Sequence, residues 1–207
     1  MRTLLLVTMV CLPGAVLAQT EEPAPVADPT AHRHLGWMFR FDLGPDYLRT
    51  SASQDGGSVS LAGPGVAVGL VIGHAVSEDW LLGLDIWGLS SFSPTLSTGG
   101  ASAGTRGTLS LTGIGLNATH YFMPANAYVS LSPSATVLSM SNGDGDTSAS
   151  THVGFGGRLG VGKEWWVGDH WGVGVAGQLA IAVNKDKGGG PTWTSVGGAV
   201  LLSATYN

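Results

Sequence analysis

Apolar side chains alternate with small or polar ones in the segment LGWMFRFDLG, and the same alternation restarts about eight times before the chain ends. Leu35, Trp37, Phe39, Phe41 and Leu43 fall on one face, and Gly36, Met38, Arg40, Asp42 and Gly44 on the other. A strand has a side-chain period of two, so such a segment separates an oily environment from a polar, crowded one.

The chain opens with MRTLLLVTMVCLPGAVLAQ: one basic residue at Arg2, a short apolar core, a Pro13-Gly14 break and a Val16-Leu17-Ala18 end before Gln19. This is the anatomy of a secretory signal peptide over residues 1–18, cut after Ala18. The single cysteine, Cys11, lies within that leader behind Val10 rather than a small residue, so a lipid anchor is not expected. Residues 19–33, rich in proline and acid, cannot bury enough apolar surface to fold alone and read as a flexible tail.

After Ala18 no run approaches the roughly 18–20 apolar residues of a spanning helix. Charged residues make up only 11% of the chain and glycine supplies 33 of its 207 residues, a composition that suits close-packed strands and glycine-rich loops. The formal charge of −5, with few and scattered basic residues, argues against a nucleic-acid partner. From residue 34 to 207 the pattern predicts eight strands, over 35–48, 64–76, 80–92, 107–122, 126–140, 152–166, 171–184 and 192–206. Each is long enough to cross a bilayer at a tilt. The predicted fold class is all-β: an eight-stranded antiparallel up-and-down transmembrane β-barrel.

Connections alternate strictly. Those at 77–79, 123–125 and 167–170 are tight, whereas those at 49–63, 93–106, 141–150 and 185–191 are longer, polar and rich in glycine. Outer-membrane barrels have short periplasmic turns and long outside loops, which predicts an outer-membrane location with both termini periplasmic. Trp80, Phe122, Trp165, Trp166, Trp171 and Tyr206 cluster beside the short turns, as an interfacial aromatic belt would. In 171–184 the lipid face reads Val173, Val175, Leu179, Ile181 and Val183. In 107–122, Leu109 and Leu111 are out of phase with Ile114, Leu116 and Phe122, which predicts a bulge near Thr112-Gly113.

The eight-strand pattern, the glycine-alternating GFGGRLGVGKEWW and the NATHYFMPANAYVSLSPSA turn resemble the outer-membrane β-barrel superfamily of small OmpA/OmpX-type barrels, over residues 34–207. That resemblance implies the barrel fold. It leaves the role open among structural anchors, adhesins, small channels and a few lipid-modifying enzymes. The expected partners are outer-membrane lipid and lipopolysaccharide, the barrel-assembly machinery and periplasmic chaperones, and an extracellular ligand on the loops of a monomer. The chain ends Tyr206-Asn207, where such barrels usually finish on an aromatic residue.

Arg40, Asp42, Asp85, Arg158 and Gln178 share the inward parity and a similar depth, which predicts a polar layer that closes the lumen; a gate or ion path is the alternative. Gly172 to Gly177 spells a dinucleotide fingerprint and Gly157 to Lys163 a phosphate-loop core, but both lie inside predicted strands, where alternation accounts for the glycines. Asn142, Asp144 and Asp146 alternate like calcium ligands without the glycine and the final glutamate of such a loop, so no metal and no cofactor is expected. His152, with Ser148, Ser150 and Asp146 nearby, is the one candidate for catalysis at the outer rim; no nucleophile signature surrounds it, and no enzyme activity is expected.

Overall fold

The computed structural model describes residues 32–54 and 56–207, so the leader and most of the proposed tail lie outside the described residues. Eight strands form a closed antiparallel ring: β1 (Trp37–Gln54), β2 (Gly57–Ala75), β3 (Trp80–Phe92), β6 (Thr108–Phe122), β7 (Ala127–Ser141), β9 (Gly154–Trp166), β10 (Trp171–Lys185) and β11 (Thr192–Tyr206). Three short strands, β4 (Thr95–Thr98), β5 (Ala101–Gly104) and β8 (Thr147–Ser150), decorate the end that carries the long connections. Pairing of β1 with both β2 and β11 leaves the ring without an edge.

The register determines the barrel's geometry. Partners followed from Arg40 run through Val71, Asp85, Gly115, Ser134, Gly156, Ala182 and Ser195 and return to β1 at Thr50, ten residues beyond the start. A climb of ten residues at about 3.3 Å, around eight spacings of about 4.8 Å, tilts the strands by about 40°. Trp165 and Phe155, both exposed on the outer face of β9, then stand about 25 Å apart along the barrel axis. The outer face between those heights is aliphatic, with Leu84, Leu116, Leu131, Leu159, Leu179 and Leu202 all exposed.

Two expectations need correction. No bulge interrupts β6: its register with β3 is unbroken from Trp80↔His120 to Phe92↔Thr108. Leu109 and Leu111 are buried in the lumen, while Thr112, Ile114 and Leu116 face outward. They join Leu48, Leu89 and Leu138 in an apolar layer that fills the loop half of the barrel. Leucine on an inward face breaks the rule that apolar means outward, and that rule alone suggested a bulge.

The expected loop 49–63 is largely strand. β1 and β2 pair continuously from Trp37↔His74 to Gln54↔Gly57. Serine and threonine sustain the ladder here: buried Thr50 donates to the Thr194 carbonyl at 3.3 Å and accepts from Ser195 Oγ at 3.0 Å. The β2–β3 ladder ends at Ala67↔Leu89, after which β2 pairs β4 instead, from Ala62↔Thr95 to Val59↔Thr98. The 93–106 connection is therefore a second hairpin, β4–β5, laid against β2.

Large and small inward residues interlock across the lumen. A Cβ at Gly162 would stand 2.6 Å from Cζ of Tyr128, and one at Gly113 would stand 2.7 Å from Nε1 of Trp87. Gly162 of β9 and Gly113 of β6 thus admit the aromatic rings that neighbouring strands point inward.

Candidate functional site

Inward parity places Arg40 and Asp42 on β1, Asp85 on β3, Arg158 on β9 and Gln178 on β10 in one buried cluster near mid-height. Arg158 organises it. Its Nε and Nη2 donate to Asp85 Oδ2 and Oδ1 at 2.5 and 2.7 Å, and its Nη1 donates to Gln178 Oε1 at 2.8 Å. Nη2 also reaches Asp42 Oδ2 at 3.5 Å. Asp42 turns its other oxygen toward Arg40, 3.7 Å from Nε, and the Arg40 guanidinium lies 4.5 Å from the centre of the Tyr128 ring. Arginine suits this position because its planar fork satisfies a carboxylate at two points, and removing either partner would strand a desolvated charge.

Several members of this interior carried no role in the sequence reading. Glu164, two residues from Gly162 on the inward face, is buried and accepts from Thr205 Oγ1 at 2.8 Å and from the Tyr121 hydroxyl at 3.4 Å. The neighbouring Arg40 charge helps to offset it. On the loop side of the ion pairs, Trp87 donates from Nε1 to Ser134 Oγ at 3.0 Å, and beside them Asn117 donates to Ser132 Oγ, on the residue that pairs across to Arg158, at 2.9 Å. Parity marks every one of these residues as inward.

At the end that carries the short turns, His34 closes the barrel. It is buried, its ring stacks on Tyr121 at 3.7 Å, and its Nδ1 and Nε2 lie 3.0 and 2.9 Å from Oδ1 of Asn207 and Asn126. Just before it, Arg33 pairs with Glu78 at 2.9 Å and the His32 amide donates to the Asp169 carbonyl. Residues 32–34 are thereby docked against the barrel end.

Among the aromatic residues, Trp80, Phe122, Trp165, Trp171 and Tyr206 are exposed on the outer face at the short-turn end, joined there by Trp37. Trp166 points the other way. Its neighbour Trp165 faces outward, so strand parity turns Trp166 toward the interior, where it lies 5.4 Å from the His32 ring and 5.3 Å from that of His34. Its assignment to the belt is corrected on that ground.

The rim candidates do not assemble. His152 is exposed, while Ser148 Oγ donates to the Met140 carbonyl and Ser150 Oγ accepts from Lys187. Asn142 spends its side-chain oxygen on the amides of Asp144 and Asp146, at 3.1 and 2.9 Å, which makes the segment an Asx-type turn. Among the described residues no group of three or more His, Cys, Asp or Glu is placed to hold a metal. The two glycine motifs lie within β9 and β10, away from any helix.

Two small, separate spaces lie within the lumen. One of about 10 Å³ lies between Arg40, Asp42 and Gln178, and one of about 90 Å³ opens at the long-loop end between Leu61, Leu109, Met140 and Trp193. Leu48, Leu89 and Leu111, each 1% exposed or less, fill the layer between them.

No sequence-family model matches the chain, and no curated protein sequence matches it. Among solved structures, Neisserial surface protein A aligns over 80% of this chain and 96% of its own, with a TM-score of 0.52 and 15% identity. OprG of Pseudomonas aeruginosa aligns over 87% of this chain and 100% of its own, with a TM-score of 0.46 and 12% identity. Ail of Yersinia pestis, solved with a heparin analogue, aligns over 83% and 100%, with a TM-score of 0.40 and 9% identity. The chain thus has the fold of the small outer-membrane barrels: all-β, eight-stranded, antiparallel and closed.

Proposed function

We propose that the chain is an integral outer-membrane barrel with a sealed lumen, and that it acts structurally or through contacts made at its long-loop end. The aliphatic outer face, about 25 Å tall and bounded by aromatic residues, supports the membrane placement. The observation that carries the sealed lumen is the double closure. The Arg158–Asp85–Asp42–Gln178 cluster fills mid-height, and a leucine layer above it separates the two small internal spaces.

Contacts with a partner fall to the loop end because β1 and β2 continue there as a ladder that β4 and β5 extend. Among the described residues β5 pairs only with β4, so its outer edge offers unpaired backbone groups. An extended segment of a partner can add to such an edge. The polar, hydroxyl-rich loops shape the rest of that surface, and the short-turn end, where His34 and Asn207 meet, faces the periplasm.

Cell fractionation and planar-bilayer recording test the reading together. The protein should partition with the outer membrane, and the purified barrel should give no resolved conductance steps. Steps from wild-type protein would replace the sealed barrel with a narrow pore. Recovery in the soluble fraction would overturn the membrane placement itself.

A further inference from the structure

We propose that the outer wall spanning β7, β9, β10, β11 and β1 binds one phosphorylated, acylated lipid of the outer leaflet, with a chain in an apolar groove and phosphate groups on Arg49 and Lys185. This rests on the membrane placement above. A groove of about 580 Å³ crosses the outer face there, bordered by Pro133, Phe155, Leu179, Ile181, Thr194 and Val196. Its floor is Gly157, an outward position with no side chain between the exposed Phe155 and Leu159.

Thr194 lies at the loop-end limit of the groove, and a cation stands on the strand to either side. Arg49 on β1 pairs across to Val196, and Lys185 on β10 pairs across to Thr192. Two inter-strand spacings and four residues of rise put their Cα atoms about 16 Å apart. The strand tilt brings them to nearly the same height. Both residues are exposed, on the outward parity of Tyr47 and Val183, and among the described residues neither forms an ion pair. Long basic side chains at the edge of an apolar band reach into the headgroup layer, where an anion neutralises them.

The groove argues for a lipid over a peptide. The side chains that border it are aliphatic or aromatic apart from Thr194, so backbone amides laid there would go without partners, whereas an acyl chain has none to satisfy. Charge at the rim and hydrocarbon below it, in one continuous surface, match a lipid that carries phosphate on its headgroup.

The test uses the full barrel in zwitterionic detergent, with bis-phosphorylated lipid A as the probe and binding read by native mass spectrometry. Wild type, the double variant Arg49→Gln/Lys185→Gln and the control Lys163→Gln are compared. Lys163 is a cation at the opposite end, where it donates to the Ala125 carbonyl and packs on Trp165. Lipid A should bind wild type and the control alike and the double variant about tenfold more weakly or worse. Lipid A stripped of its phosphates should lose the same affinity on wild type. Equal binding by the double variant, or by the stripped lipid, overturns the proposal. Full competition by inorganic phosphate would also overturn it, in favour of a site for free anions. Heat-shifted gel mobility of each variant reports barrel folding independently, so a failure of the membrane reading is recognised separately.

Discussion

Arg158 and Asp85 lie 73 residues apart in sequence and meet in the lumen through two parallel hydrogen bonds, Nε to Oδ2 at 2.5 Å and Nη2 to Oδ1 at 2.7 Å. Their strands, β9 and β3, are not adjacent in the ring: β6 and β7 stand between them. The pair therefore bridges the lumen and ties opposite arcs of the wall together.

Removal of Asp85 follows from that geometry. Asp85→Ala leaves Arg158 with only Gln178 and the longer contact to Asp42, and stranding a buried charge costs about 3–5 kcal/mol. Changing Arg158 to Met as well should recover part of the loss, because the two residues touch. The corresponding double variant of Asp85 with Arg40→Met should show no such recovery, since Arg40 contacts Asp42 and Tyr128 instead. Reversible urea unfolding in lipid vesicles measures all three. Additive losses for Asp85 with Arg158 would contradict the bridge.

Depth on the outer wall gives a second expectation. Leu159 pairs with Leu131 and Leu179 near mid-height, whereas Phe155 on the same strand stands near the loop-side edge of the apolar band. Leu159→Arg should destabilise the barrel by about 2–4 kcal/mol, and Phe155→Arg should cost about 0–1 kcal/mol beyond the loss of its ring. The same unfolding assay decides this. Equal penalties would mean that the two positions do not differ in depth.

Parity made much of this molecule legible before its structure. Phe39 and Phe41 point out and Arg40 and Asp42 point in, as the alternation requires, and Asp85, Arg158 and Gln178, which share inward parity and a similar depth, meet in the lumen. Which arginine meets Asp85 depends on register between strands far apart in the chain, and one strand's pattern does not encode that. Trp166 departs from the belt for a reason that parity alone supplies. Adjacent strand residues face opposite sides, so Trp165 and Trp166 cannot both join the belt. Glu164 shares the parity of Arg158 and carried the same signal. His34 had no such marker, because its burial depends on Asn126 and Asn207, which only the closed ring brings together. The leucines at 109 and 111 misled because this lumen is apolar in its loop half, a property of packing across the ring rather than of any single strand.

The loop end gives the last expectation, where polar composition and observed structure point to different cleavage sites. Residues 49–63 are serine-rich, yet most of them are held in the β1–β2 ladder, with Thr50, Ala52 and Thr50's cross-strand partner Leu61 buried. Residues 142–146 and 187–190 lie outside the strands, are almost all exposed, and rely on short turns such as Asn142 to Asp146 and Asp186 to Gly188. Proteolysis needs a segment that can leave its hydrogen bonds and enter an extended groove, so susceptibility follows local opening rather than polarity. Brief proteinase K treatment of intact cells should cut first at 142–146 and 187–190, leave 49–63 largely intact, and spare the turns at 77–79 and 167–170. Mass spectrometry of the released peptides locates each cut. Early cleavage at 49–63 would show that the ladder there opens readily, and cleavage at 167–170 from outside would invert the proposed orientation.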